Sequence, residues 1–278
     1  MVSPRDKAAA ERTKGVAKEL SIKVLESKIA GVPVFEVTPR RVDRVLADKL
    51  FVHTHGGAFV FNRGWAGVAE AMLIAHSVGI PVLSIDYRMP PEHPFPAAIA
   101  DVVAVWNELL KKHQASKMAI GGTSAGGNLS IASVLKFKES KLPLPAAVMA
   151  STPWSDLSKT DDSYFTNEGI DRLLVTYDGL LAAAAKAYAN GTDLKAPLVS
   201  PVYGDFAGFP PTLLFTGTRD LFLSSTVRAH RAMRAAGVPA ELNVFEAMSH
   251  GDWIASPDFP ESKTFTSELA AFLKRHTK

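Results

Sequence analysis

With 278 residues, 47% hydrophobic and 21% charged, the chain has the composition of a globular protein long enough for one large α/β domain with an insertion. Its net charge of +3 is scattered, densest at Pro39-Arg40-Arg41, which reads as solvated surface and argues against a nucleic-acid partner. It contains no cysteine, so disulfides, thiolate zinc sites and cysteine nucleophiles are excluded. No apolar run approaches the roughly 18 residues of a membrane span, and the charged Met1–Glu19 stretch lacks the apolar core of a secretory signal. A cytoplasmic location is the expectation.

In chain order, residues 5–28 read as one or two amphipathic helices with charged faces. Val34–Val37 and Arg41–Val45 read as strands joined by a turn at Pro39, and Lys49–Thr54 as an apolar strand entering His55-Gly56-Gly57. An alternation follows: helix Trp65–Ser77, strand Pro81–Asp86, helix Ala97–His113, strand Met118–Gly121, helix Ser124–Glu139, strand Ala146–Ser151. Almost wholly apolar strands between helices predict a parallel sheet covered on both faces. The pattern breaks over 155–205, which is polar and irregular around an Ala-rich helix, Leu180–Tyr188. It resumes with strand Thr212–Gly217, helix Ser224–Ala236, strand Glu241–Glu246 and helix Ser262–Arg275. The break falls between two strands, where an inserted lid leaves the sheet intact.

The strongest chemical signal is Gly122-Thr123-Ser124-Ala125-Gly126, between an apolar strand and a helix. A serine on such a sharp turn projects its hydroxyl from the sheet, and the flanking positions need glycine to avoid collision. The helix behind it presents its positive dipole end to developing negative charge. Upstream, His55-Gly56-Gly57-Ala58 ends a strand. There the N–H groups of Gly56 and Gly57, with that of Ala125, can form an oxyanion hole.

A serine hydroxyl needs a histidine base, and the base needs a carboxylate; in this arrangement the order is Ser, acid, His. Only His230, His250 and His276 follow Ser124. His230 falls in a helix among arginines and His276 in the tail, whereas His250 sits in a loop after a strand. Asp220, just past the strand Thr212–Gly217, is the favoured acid over Asp156, Asp193 and Asp205. Asp156 fits a loop-fixing role. His53 and His55 lie two apart on one strand and so on one face; a packed or exposed histidine is expected, since a metal pair would lack carboxylate company.

These residues, together with Asp86-Tyr87-Arg88-Met89-Pro90-Pro91-Glu92-His93-Pro94-Phe95-Pro96-Ala97-Ala98, resemble the bacterial hormone-sensitive-lipase family of α/β-hydrolases. The resemblance runs from about residue 30 to the C-terminus. It implies a mostly parallel eight-stranded sheet flanked by helices, in one domain over 1–278, with a helical cap built from 1–35 and 155–205. It implies hydrolysis of short- to medium-chain carboxylic esters, and a homodimer through about 240–275. Thr123 matches the branch with Thr before the serine, where the commoner branch has Asp. The stretch 217–228 resembles monoterpene lactone hydrolases and acetyl hydrolases of the family. Two departures stand out: Ala58 replaces a usual third glycine, and Leu221-Phe222-Leu223 replaces a more acidic motif after Asp220. Tyr87, Arg88, Glu92 and the prolines are expected to pin the loop beneath the oxyanion turn, and His55 to orient that turn.

The sequence therefore predicts a serine carboxylesterase with Ser124, His250 and Asp220 as triad, an oxyanion hole from Gly56, Gly57 and Ala125, and Phe59, Phe61 and Trp154 lining the acyl pocket. The chemistry calls for no metal or organic cofactor. A lactonase or amidase could use the same triad. A non-catalytic small-molecule receptor on this scaffold would be expected to lose Ser124 or His250, and both are present.

Overall fold

Short apolar strands separated by helices assemble into one eight-stranded sheet in the computed structural model, which describes residues 3–278. The elements are α1 (Pro4–Glu19), β1 (Lys23–Ile29), β2 (Val32–Thr38), β3 (Leu50–Thr54), α2 (Ala69–Val78), β4 (Val82–Ile85), α3 (Ala97–Leu109) and β5 (Met118–Thr123). They continue as α4 (Ala125–Glu139), β6 (Ala147–Ser151), α5 (Ser163–Thr166), α6 (Leu180–Ala189), β7 (Thr212–Gly217), α7 (Leu223–Ala235), β8 (Ala240–Phe245) and α8 (Pro260–His276). The order across the sheet is β1-β2-β4-β3-β5-β6-β7-β8. β2 pairs antiparallel with both neighbours and every other pairing is parallel.

Successive side chains of a strand face opposite sides, and both sides of this sheet are dry. In β3, Val52 joins a core with Val102, Trp106, Leu129 and Phe137 from α3 and α4. Its neighbour Phe51 joins the opposite core with Met72, Ile74, Phe265 and Phe272 from α2 and α8. β7 divides in the same way, Leu214 to the first core and Leu213 and Phe215 to the second.

Two sequence-based expectations fail at the N-terminal side. The helix predicted over 5–28 stops at Glu19, and residues 23–38 form a β-hairpin on the sheet edge, so the N-terminal helical segment is shorter than the 1–35 expected of a cap. Ser3 caps α1 by accepting from the Asp6 N–H at 3.0 Å, and Pro4 occupies the first turn. The hairpin turn is Ala30-Gly31, both at positive φ (51° and 81°), the geometry of the tight turns that join right-twisted strands. Alanine there, and charges along β1, hide the strand signal. The strand predicted over Arg41–Val45 is instead a turn: Asp43 accepts from the Val45 N–H at 2.9 Å, its own N–H bonds Gly79 O at 2.9 Å, and Lys274 reaches its carboxylate.

Candidate active site

β5 enters α4 through Ser124, whose backbone sits at φ 64° and ψ −124°, a conformation L residues seldom adopt. The need for the glycines is steric. A side chain carbon added at Gly122 or at Gly126 would lie 1.9 Å from the same atom, the carbonyl oxygen of Thr54 at the end of β3. The turn is held from below by the Ser124 N–H on Ser151 O at 2.9 Å and by Thr54 Oγ1 donating to Gly126 O at 2.8 Å. Four parallel strands thus deliver the chemistry to one edge of the sheet: β3 ends at the Gly56-Gly57 turn, β5 at Ser124, β7 before Asp220 and β8 before His250.

His250 Nδ1 is 3.1 Å from Asp220 Oδ1 and 3.0 Å from Thr152 Oγ1. Asp220 is wholly buried, and a buried carboxylate persists only when its oxygens are bonded. Its Oδ1 also accepts from the Phe222 N–H at 2.8 Å, and its Oδ2 accepts from the hydroxyls of Thr152 and Thr216. The unusual Leu221-Phe222-Leu223 segment therefore supplies one of the carboxylate's donors. It also sets the Phe222 ring edge-on to His250, 4.8 Å between centroids. Ser124 and His250 both open onto a cavity of about 430 Å³, with Gly56, Gly57, Phe61 and Glu70 in its wall. That size suits a small organic ligand.

At the Gly56-Gly57 turn the backbones are in close contact: a side chain at Gly56 would sit 2.8 Å from Thr123 O and 3.4 Å from Ser124 Cβ. Gly57 takes φ 120°, and a side chain there would meet Phe61 O at 2.6 Å. The carbonyls of these glycines hold the turn, accepting from Asn62 Nδ2, Val60 N and Phe61 N. Ala125 opens α4, where a helix N–H has no intrahelical acceptor. His55 orients this turn, its Nδ1 2.9 Å from Gly56 O and its ring stacked on Tyr87 at 4.2 Å. Burial pushes the His55 imidazole below its usual range, partly opposed by the charge of Asp86. Tyr87 donates to His55 O at 2.7 Å. Of the residues expected to pin the turn, Tyr87 touches it directly, while Arg88 is tied to Asp101 of α3 and Glu92 to Arg63.

The other histidines and acids lie elsewhere. His230 is half-buried on α7 near Ala240 O, and His276 packs on Phe272. Asp205 reaches Lys138 on the surface, and Asp193 bonds the Lys195 N–H in its own turn. Asp156 fixes its loop through Ser158, Thr160, Tyr203 and Arg228. Burial works to raise its carboxyl, but these donors hold it below the usual range.

Two of the three expected pocket residues are misplaced. Phe59 and Trp154 are fully buried in an aromatic stack, Phe59 on Tyr188 at 3.7 Å and Trp154 on Phe222 at 5.5 Å. Of the three, only Phe61 reaches the cavity; its other large apolar side chains are Leu173, Leu174, Leu180 and Leu181 of the insertion and Ile254.

A family model described as the alpha/beta hydrolase fold matches residues 51–254. The chain belongs to the α/β-hydrolase family. The crystal structure of an esterase, 52% identical, aligns with a TM-score of 0.97 over 100% of this chain and 85% of that one. Another, of an esterase from the bacterial hormone-sensitive lipase family, is 28% identical with a TM-score of 0.87 over 100% of both chains. By sequence, an acetyl-hydrolase of Streptomyces hygroscopicus is 31% identical over 87% of this chain and 79% of its own length. An esterase of Acinetobacter venetianus is 28% identical over 91% and 82%. This α/β-hydrolase is an esterase of the hormone-sensitive-lipase type, a carboxylic ester hydrolase.

The sequence reading missed three features of this esterase. Glu70 of α2, in the cavity wall, accepts from Thr123 Oγ1 at 2.6 Å and lies 3.1 Å from His53 Nε2, giving His53 the carboxylate its strand neighbours lack. No cluster of three metal-ligating side chains occurs among the described residues. Second, Thr152 contacts both Asp220 and His250. Third, the insertion grips the loops that carry Asp220 and His250. Asn167 Nδ2 donates to Asp220 O at 2.8 Å and Asp171 accepts from the Leu221 N–H at 2.9 Å, while Arg172 pairs with Asp252 beside His250. Asn167, Asp171 and Arg172 fall in an irregular segment and carry no periodic signature, so the sequence offered only the break in pattern.

No helix among the described residues is long and apolar enough to cross a membrane.

Proposed function

We propose that the chain hydrolyses short- to medium-chain acyl esters through an acyl-enzyme, with Ser124 as nucleophile, His250 as base and Asp220 as its orienting acid. The observation that carries this reading is the pairing of His250 Nδ1 with the buried Asp220, while Ser124 and His250 share one cavity. With Nδ1 occupied, Nε2 is the nitrogen left to take the Ser124 proton as Oγ attacks the ester carbonyl. The N–H groups of Gly56, Gly57 and Ala125 receive the oxyanion, each such donor contributing about 10²–10³-fold in rate. His250 returns the proton to the departing alcohol. It then takes one from water, whose oxygen attacks the acyl carbon and releases the carboxylic acid and free Ser124.

The modest cavity and the resemblance to an acetyl-hydrolase support small acyl groups. The inserted residues 155–205, with α1 above the oxyanion loop through Asp6 on the Asn62 N–H, serve as the cap. The free edge of β8 is the surface on which a homodimer would form. A p-nitrophenyl ester series, run with wild type and Ser124→Ala, tests the reading. Burst kinetics and short-chain turnover that vanish in the variant are expected; equal, inert behaviour of the two would contradict it.

A further inference from the structure

We propose that Thr152 is a positioning residue for the catalytic base, an inference that rests on the triad reading above. Thr152 follows β6, is wholly buried and has φ 38°. A β-branched residue is costly in the left-handed region, and such a conformation persists only where surrounding structure or function holds it. Here the Thr152 N–H is fixed on Phe215 O at 2.7 Å, which aims the side chain at the Asp220–His250 pair.

The hydroxyl has one hydrogen. An ionised carboxylate only accepts, so that hydrogen goes to Asp220 Oδ2. Thr152 Oγ1 is then an acceptor toward His250 Nδ1 at 3.0 Å, beside Asp220 Oδ1 at 3.1 Å. Both partners demand a hydrogen on Nδ1, so the lone pair must reside on Nε2, the nitrogen that serves Ser124. Nδ1–H is gripped by two acceptors set at an angle, which fixes the plane of the ring as well as its tautomer. A single carboxylate contact would leave the ring free to rock about that bond. No proton leaves Thr152 at any step; it holds the ring while Nε2 takes and returns one.

The test compares Thr152→Ser, which keeps the hydroxyl, with Thr152→Val, which keeps the shape, and Thr152→Gly, which relaxes the backbone without restoring the hydroxyl. On p-nitrophenyl acetate, Val and Gly are expected to lower kcat by about 10–100-fold, the scale of a hydrogen bond to a charged group, with KM within about twofold. Ser is expected to stay within about threefold of wild type. The low-field Nδ1 proton resonance of His250 should persist in Ser and shift or broaden in Val and Gly. Thermal midpoints guard against misfolding: a Gly variant that melts like wild type and retains wild-type kcat and the wild-type resonance overturns the inference, while the triad reading stands. A wild type no more active than Ser124→Ala overturns the triad reading and this inference together.

Discussion

Two histidine–carboxylate pairs flank the Ser124 turn, and the proposed function assigns catalysis to only one of them. His250 with Asp220 and His53 with Glu70 both span 3.1 Å, and both reach the turn, the first through the shared cavity and the second through Thr123. The difference lies in the second ring nitrogen. His53 is wholly buried with Nδ1 2.9 Å from Ser84 Oγ, so both nitrogens are committed. His250 commits Nδ1 twice and lines the cavity with Ser124, so the proposed function leaves Nε2 to take the proton. A buried histidine beside a carboxylate is thus a brace or a base according to where its other nitrogen points.

The largest expected effect separates the two rings directly. His250→Ala should lower kcat by about 10⁴-fold or more. His53→Leu should keep kcat within about tenfold while costing about 1–3 kcal/mol, because Glu70 and Ser84 lose their buried partner. Steady-state kinetics and thermal melts of both variants make the comparison; a His53→Leu enzyme as inactive as His250→Ala would erase the distinction. The carboxylates should divide similarly. Asp220→Asn is expected to cost about 10⁴-fold in kcat by presenting the wrong partner to Nδ1. Glu70→Gln, which still bonds Thr123, should cost about tenfold or less, as read from kcat on the same ester.

How much of this contrast the sequence revealed depended on whether a residue's role is local. The glycines of the nucleophile turn are dictated by a collision with one carbonyl of the adjacent strand, and that demand leaves a fixed spacing in the chain. Strand–helix alternation made β3 to β8 legible, and Asp220 and His250 stood out as the candidates in loops that end parallel strands. Glu70 and Thr152 left no such trace, since each is an unremarkable residue of a helix or strand end until the sheet brings distant segments together. β1 was hidden for another reason: its pairing with β2, rather than its own charged pattern, makes it a strand. Phe59 and Trp154 were misassigned because aromatic character alone does not separate a cavity wall from the stack behind it.

A third histidine sharpens the comparison through pH. Burial holds His55 below its ordinary range near 6.5, so the unfolded chain binds a proton that the folded chain refuses. Stability should therefore fall as pH drops below about 6.5, and His55→Gln should flatten that slope in melts recorded from pH 5 to 8. An unchanged slope would remove His55 as its source. A further effect is expected where the 155–205 insertion meets α7. Arg228 pairs with Asp156 and Asp161, and burial pushes the Asp161 carboxyl up to about 6. Arg228→Ala should destabilise by about 2–3 kcal/mol, below the cost of breaking a fully buried pair because the guanidinium is partly exposed. A melt with urea titration measures it.

The most direct measurement of the central claim is covalent capture. The enzyme is treated with a fluorophosphonate, and the adduct is located by intact-mass and peptide mass spectrometry, with His250→Ala and His53→Leu alongside. One adduct per chain is expected on Ser124, formed rapidly in wild type and in His53→Leu and very slowly in His250→Ala. An adduct on another residue, or labelling of His250→Ala at the wild-type rate, would contradict it.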